Sequence, residues 1–156
     1  MKIKELALTG LQETLALNNT HAAETSLLDL PTLEQMMANA FFSITDDAHG
    51  LLIAFDQDAP YNGVNFNWFK TRNDRFVYVD RIIIAAHTRG KGLARYYYTR
   101  LFDHAQAAGH ERVTCEINLD PPNPGSIIFH TNMGFTEIGQ AILENGKTVS
   151  YQEKLL

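Results

Sequence analysis

The sequence has little cysteine, no long apolar run and no excess of positive charge. Its single cysteine, Cys115, excludes an intramolecular disulfide. No apolar stretch approaches the ~20 residues that span a bilayer, and the first residues lack the apolar core of a signal peptide. The formal net charge of −5 argues against a nucleic-acid-binding surface, which needs clustered lysine and arginine. These absences predict a cytoplasmic protein that binds neither membranes nor nucleic acids.

Metal-ligand patterns are missing as well. The six histidines show no paired ligand spacing. Cys115 lies in an apolar stretch, where burial should raise the pKa of its thiol rather than activate it. We therefore expect no bound metal and no covalent catalysis by this cysteine.

The chain's 156 residues and 45% apolar content suit one domain, 1–156, with a sizeable core. Periodicity, capping and turn signals predict an α/β fold built on a mixed sheet. The predicted elements are a strand over 2–8, a helix from Thr9 to Leu17, a helix over 31–40, strands over 41–45 and 51–55, a strand over 76–85, a helix from Gly92, a strand over 112–118, a helix over 124–132 and a hairpin with Asn145-Gly146 at its tip.

A glycine-rich turn between a predicted strand and a predicted helix is the most informative motif. It reads Arg89-Gly90-Lys91-Gly92-Leu93-Ala94. The first N–H groups of a helix lack intrahelical partners and lie at the positive end of its dipole, so they bind anions. Glycine lets a ligand approach the backbone and tolerates positive φ. The motif predicts a phosphate site, although a tight connection alone would also use glycine.

A second block follows about thirty residues later. Its residues are Asn123, Ser126, Phe129, His130 and Gly134-Phe135. The pattern [Arg or Gln]-x-x-Gly-x-[Gly or Ala] over 89–94 together with Asn-x-x-Ala-x-x-Phe-Tyr-x-x-x-Gly-Phe resembles the GNAT superfamily of acyl-CoA-dependent N-acetyltransferases. Here Ser126 replaces the alanine and His130 replaces the tyrosine. The resemblance covers roughly residues 41–156. The 61–69 stretch, the Asp80-Arg81 pair and the 115–118 segment also look like an uncharacterised bacterial subgroup of that superfamily.

This resemblance implies a fold, a donor and a set of contacts. The fold would be a single-domain, mostly antiparallel central sheet flanked by helices, with splayed middle strands that form a CoA cleft. Acetyl-CoA would be the acyl donor, and its pyrophosphate would bind Arg89, Gly90, Lys91, Gly92, Leu93 and Ala94. Its pantetheine would contact the backbone of Ile84 and Ala85, together with Asn123, Ser126 and Phe129. The acceptor would be a small-molecule amine or a protein amino terminus, and the protein could form a homodimer.

The chemistry of acetyl transfer calls for a base and an acid. An alkylamine must lose a proton before it attacks, and Glu116 and Asp80 are the candidate bases on neighbouring strands. The simpler alternatives are that Asp80 pairs with Arg81 or caps a local turn and that Glu116 is solvent-exposed. In that case water alone would take the proton from the amine. His130 stands where the family has a tyrosine that protonates the leaving sulfur, so it is the candidate acid; alternatively it packs at a helix end. A non-catalytic acyl-CoA-binding module is the second hypothesis for the chain as a whole.

The acceptor side carries an amide-rich and aromatic segment over 61–69. Tyr61 and Asn65 are its candidate substrate contacts, with Tyr78 and Asn118 from the flanking strands. Trp68 and Phe69 are expected to close the core instead. The sequence does not separate one class of amine from another.

Overall fold

The computed structural model describes residues 3–21, 26–46 and 48–156. These residues form five α-helices, one short 3-10 turn and six strands. The helices are α1 (Ile3–Thr20), α2 (Leu30–Asn39), α3 (Val64–Lys70), α4 (Leu93–Ala107) and α5 (Pro124–Asn132). The strands are β1 (Phe42–Thr45), β2 (Gly50–Asp56), β3 (Val77–Ile84), β4 (Arg112–Asp120), β5 (Thr136–Ile142) and β6 (Thr148–Leu155).

The structure corrects two sequence predictions. The strand predicted over 2–8 is wrong, because residues from Ile3 onward belong to α1, which continues through Gly10 to Thr20. Leu11 and Leu15, spaced four residues apart, pack on the core, and a glycine inside a helix lowers its stability without ending it. The sequence predicts no helix or strand between 55 and 76, yet the 61–69 segment contains α3, because Phe66 and Phe69 share one buried helical face.

Most of the other predicted elements are confirmed within a few residues. α5 has the predicted bounds, and β5 and β6 form the predicted hairpin around Asn145 and Gly146, where Gly146 has a φ of +85°. Glycine adopts this left-handed backbone conformation at low energetic cost, because it has no Cβ. In the described residues, no helix is long and apolar enough to cross a membrane.

The strands form one sheet in the order β1-β2-β3-β4-β6-β5. Neighbours are antiparallel except β3 and β4, which run parallel and pair at two positions, Val77 with Val113 and Tyr78 with Thr114. Beyond these positions, residues on both strands line a cavity between them. The sheet is therefore mostly antiparallel, and its two middle strands part, as expected.

Helices cover both faces of the sheet. On one face, α4 buries Tyr97, Tyr98, Leu101 and Ala105 against alternate residues of the sheet. On the other face, α2 and α3 bury Leu33, Met36, Phe66 and Phe69 against Phe55, Tyr78 and Tyr151. Because side chains alternate along a strand, each middle strand contributes to both cores.

A β-bulge interrupts β3 at the cleft. Ile53 pairs with Arg81 and Ala54 with Val79, which leaves Asp80 as the extra residue. Asp80 and Arg81 consequently both line the same cavity, although they are adjacent in a strand. The bulge therefore places two opposite charges side by side on the face that carries α3.

Candidate active site

A cavity of about 590 Å³ lies where β3 ends and α4 begins. One wall comes from the glycine-rich turn and the start of α4, and the opposite wall comes from α5. Its lining includes nine of the eleven residues predicted to bind the donor: Ile84, Arg89, Gly90, Gly92, Leu93, Ala94, Asn123, Ser126 and Phe129. Two widely separated sequence motifs thus meet around one space.

The glycine-rich turn has the geometry that an anion site needs. Gly90 and Gly92 have φ values of +79° and +81°, and a Cβ placed on either would meet nothing within 4 Å. Gly92 is the N-cap of α4 and has no side chain to bond the first amides. The side chain of Arg89 donates from Nε to the Ile84 carbonyl at 3.1 Å, which ties the turn to the end of β3. The first amides of α4 therefore have no side-chain cap, and there is open space beside both glycines.

The two remaining predicted donor residues lie outside the cavity lining. Lys91 is exposed at the tip of the turn. Ala85 is buried, and its N–H donates to the His49 carbonyl at 2.8 Å. That amide already has a partner within the chain, which argues against the expected pantetheine contact at Ala85.

Asn123 caps α5. Its Oδ1 accepts from the Ser126 N–H at 3.3 Å, as an N-cap asparagine does. The same residue lines both the cofactor-sized cavity and a smaller one between β3 and β4. Asn123 therefore orders the start of α5 at the point where the two spaces meet.

His130 is 5% exposed and hydrogen-bonded through both ring nitrogens. Nδ1 lies 2.7 Å from the Ser126 carbonyl oxygen, which can only accept, so Nδ1 carries the proton. Nε2 lies 2.7 Å from the Tyr98 hydroxyl and therefore accepts from it. Burial also lowers the pKa of His130. A neutral imidazole with both nitrogens occupied argues against proton donation to sulfur and favours the packing alternative.

Glu116 is the centre of a hydrogen-bond network on the other side of the cleft. The Tyr78 hydroxyl lies 2.9 and 2.8 Å from its two oxygens, and the Asn65 side-chain amide donates to Oε1 at 3.0 Å. Burial and the nearby charge of Asp80 raise the pKa of Glu116 to about 7, against the opposing effect of the Tyr78 and Asn65 hydrogen bonds. Glu116 is thus neither fully exposed nor paired with a cation. With this pKa, its carboxyl group can take up or release a proton near neutral pH.

Asp80 has a different environment. It accepts from the Tyr61 hydroxyl at 2.5 Å, and the Arg81 Nε donates to it at 2.7 Å. Arg81 is 7% exposed and also donates to the Asn18 side chain at 2.7 Å, so β3 is joined to the end of α1. The expected pairing of Asp80 with Arg81 is present, which leaves Glu116 as the carboxylate without a cationic partner in this network.

The phenols of this region remain protonated donors. Burial, followed by the charge of Asp80, raises the pKa of Tyr61, and burial, followed by the charge of Glu116, raises that of Tyr78. Tyr61, Asn65 and Tyr78 surround a cavity of about 170 Å³ together with Asp80 and Glu116. Three of the four predicted acceptor contacts therefore lie together. Tyr78 is 2% exposed and faces Glu116, so its geometry suits orientation of that carboxylate better than direct substrate contact.

The fourth predicted acceptor contact, Asn118, lies in a small cavity of about 110 Å³ between β3 and β4. This middle cavity shares lining residues with the cavity of about 590 Å³, including Ser126 and His130. It shares Asp80 and Glu116 with the cavity of about 170 Å³. Both carboxylates therefore lie where the middle cavity meets the cavity of about 170 Å³.

Several residues of the site carried no signal in the sequence. His21, which follows α1, lines the cavity of about 590 Å³. Tyr98 of α4 bonds His130, and Tyr151 of β6 bonds Asn65. These contacts depend on elements distant in the chain, so local motifs could not reveal them. Among the described residues, no group of three or more His, Cys, Asp or Glu side chains could hold a metal ion.

Comparison with known proteins identifies the class. The model of the acetyltransferase (GNAT) family matches residues 14–135, which is most of the chain. The chain therefore belongs to this family. Among curated proteins, no sequence matches it significantly.

Solved structures share the fold at low sequence identity. A chain of the NatC complex, determined with Gag peptide and CoA bound, aligns with a TM-score of 0.72 at 12% identity, over 100% of this chain and 95% of that one. The ribosomal-protein-S18-alanine N-acetyltransferase from Escherichia coli gives 0.66 at 13%, over 95% and 88%. A variant of spermidine N-acetyltransferase from Vibrio cholerae gives 0.64 at 19%, over 93% and 87%. These likenesses establish the GNAT fold, and family and fold together support acyl-CoA-dependent N-acetyl transfer in general terms.

Proposed function

We propose that the protein transfers an acetyl group from acetyl-CoA to a primary amine by direct attack within a ternary complex. The observation that carries this proposal is the position of Glu116. It lines both the polar cavity suited to the acceptor and the middle cavity, which shares residues with the cavity suited to the donor, and its pKa is raised to about 7. A general base near neutral pKa at such a junction is what amine acetylation needs.

On the donor side, the glycine-rich turn would bind the pyrophosphate of acetyl-CoA. The amides at the start of α4 would supply hydrogen bonds, and Arg89 and Lys91 would supply positive charge. The end of β3 at Ile84, together with Asn123, Ser126 and Phe129, would contact the pantetheine. This assignment rests on the shared cavity and on the open space in front of both glycines.

On the acceptor side, the network favours a cationic amine. Asp80 and Glu116 supply two carboxyl groups, while Arg81 is the basic side chain that lines the same cavity. An alkylammonium has an ordinary pKa near ~10, so it arrives protonated and is attracted to this excess of acidic groups. Tyr61 and Asn65 would line its path. A small-molecule amine and a protein amino terminus both present this group.

The reaction itself needs few groups. Glu116 takes a proton from the ammonium, and the neutral nitrogen attacks the thioester carbonyl carbon. A carbon–nitrogen bond forms, the carbon–sulfur bond then breaks, and the nitrogen loses its second proton to water as the amide forms. A free thiol has a pKa near ~8.5, so the departing thiolate can be protonated by water. None of these reaction steps transfers a proton to or from His130, in keeping with the hydrogen bonds that occupy both of its ring nitrogens.

Two measurements on one sample test the proposal. Calorimetry with acetyl-CoA should show binding, and release of free thiol should follow when an amine from a panel of polyamines, amino acids, aminoglycosides and short peptides is added. Thiol release with one class of amine would establish the activity and identify the acceptor class. Binding without release from any amine would favour an acyl-CoA-binding module, and no binding would overturn the donor assignment.

A further inference from the structure

Tyr151 lies directly opposite Glu116 in the pairing of β6 with β4. Its hydroxyl nevertheless contacts a third residue: it donates to Asn65 Oδ1 at 2.9 Å, and Asn65 Nδ2 donates to Glu116 Oε1 at 3.0 Å. Tyr151 belongs to a strand that the donor motifs do not include. It is therefore connected to the carboxylate through a single amide that belongs to α3.

The ring of Tyr151 is held in place on its other sides. It stacks on Trp68 at 4.1 Å between centroids with an interplanar angle of 18°, and it is 1% exposed. Trp68 has room for this stack because Gly139 has no side chain, since a Cβ there would lie 2.6 Å from the indole. The Arg72 guanidinium lies 3.7 Å from the centroid of the Trp68 ring. The phenol is thus more rigidly placed than a surface tyrosine.

The direction of the amide is the chemically important feature. A carboxylate accepts hydrogen bonds and cannot donate them, whereas an asparagine side chain presents either an oxygen or two N–H donors. Because the Tyr151 hydroxyl occupies the amide oxygen, Asn65 presents N–H to Glu116. A reversed amide would place its oxygen against the carboxylate and disfavour the ionised form.

We infer that Tyr151 is a positioning residue for Glu116, acting through Asn65 to keep a hydrogen-bond donor aimed at the carboxylate. The inference rests on the proposed role of Glu116 as the base. Other groups also act on this carboxylate, from every element around it: Tyr78, Asp80 and Arg81 of β3, Tyr61 before α3, Cys115 of β4 and Tyr98 of α4. These groups are the same in a Tyr151→Phe protein, so a change in titration would report the lost hydroxyl.

The test is a pH titration of protein labelled with carbon-13 at the glutamate carboxyls, with the Glu116 signal assigned by its absence in Glu116→Gln. Tyr151→Phe keeps the ring and its stacking on Trp68 and removes only the hydroxyl. We expect the Glu116 midpoint to rise by about one pH unit, a tenfold change in proton affinity. Asn65→Ala should give a similar rise, and the double variant should add nothing further, because both changes remove the same contact.

The matched control is Tyr96→Phe, since Tyr96 is 50% exposed on α4 and its hydroxyl accepts from Arg100. Its Glu116 midpoint should equal that of the wild type. An unchanged midpoint in Tyr151→Phe, or an equal rise when that change is made on the Asn65→Ala background, would overturn the inference. Undiminished acetylation by Glu116→Gln would instead overturn the base assignment, and the positioning role would fall with it.

Discussion

The proposed donor side and the proposed acceptor side of the cleft are built in different ways. The donor side uses backbone groups from one short turn, where Gly90 and Gly92 leave space for a ligand. The acceptor side uses side chains from α3, β3, β4 and β6, joined by hydrogen bonds around Glu116. A backbone site tolerates changes in most side chains, whereas a side-chain network depends on each member. The difference suggests why one region follows a recognisable motif and the other does not.

The largest expected effect is on the acceptor side. Glu116→Gln keeps the shape of the side chain and removes its ability to take a proton, so turnover with the amine found in the panel should fall by about 10²–10⁴-fold. Affinity for acetyl-CoA, measured by calorimetry, should not change. Glu153→Gln is the matched control, because Glu153 bonds Arg112 outside the network. Equal turnover in the Glu116→Gln protein and the wild type would contradict the assignment.

On the donor side, Gly92→Glu should weaken acetyl-CoA binding by at least about a hundredfold. The change places a negative side chain where the pyrophosphate would lie and removes the residue that accepts the left-handed conformation. Gly146→Glu makes the same substitution at nearly the same φ, at a residue that does not line the cavity. If both variants lost affinity equally in calorimetry, backbone strain would be the cause and the phosphate site would be wrong.

The pH dependence of the free energy of unfolding reports the pKa shift of the buried Glu116 carboxyl. Folding raises the pKa of Glu116 from 4.5 to about 7. Its stabilising contribution is fully present below about pH 4.5, and it is lost as the pH rises through 7, because the unfolded state ionises first. The free energy of unfolding should therefore fall, relative to that of Glu116→Gln, by about 3 kcal/mol over this range. Denaturant unfolding of both proteins at several pH values measures the difference, and a constant difference would mean an unperturbed carboxyl.

His130→Phe should have the smallest effect on catalysis. The change removes the acceptor of the buried Tyr98 hydroxyl and a bond to the Ser126 carbonyl, so we expect a loss of about 2 kcal/mol in the free energy of unfolding. Turnover should stay within about tenfold of the wild type. His87→Phe, at an exposed position, serves as the control for stability. A loss of turnover far beyond tenfold in a folded protein would restore His130 as the acid.

Sequence reasoning succeeded where structure is local. The strand, glycine turn and helix around residues 89–94 are contiguous, and the Asn145-Gly146 hairpin depends on two adjacent residues. The helix predicted from Thr9 to Leu17 lies within α1, but the sequence predicts a strand for its first turns because a short apolar alternation over 2–8 competes with helical spacing that becomes clear only further along. α3 was missed for a similar reason, since its seven residues give little periodic signal.

The candidate site could be predicted only in part for the same physical reason. The sequence identifies Glu116 and Asp80 as carboxylates on neighbouring strands. Which of the two carboxylates has a cationic partner depended on the bulge that turns Arg81 toward Asp80. Asn65 and Tyr151 are 86 residues apart, so their hydrogen bond exists only after the sheet has formed. Likewise, the bond between His130 and Tyr98 requires α4 and α5 to pack together.

Because β3 and β4 pair only over a short length, a small rotation where they pair produces a larger displacement at their open ends. Two three-stranded units, β1-β2-β3 and β4-β6-β5, are joined at Val77–Val113 and Tyr78–Thr114. From Tyr78 to Ile84 a strand extends about 20 Å at ~3.3 Å per residue. A rotation of a few degrees at the joined end therefore moves the open end by an ångström or more. The packing around the two paired positions, Val77–Val113 and Tyr78–Thr114, therefore determines how wide the cleft is at its open end.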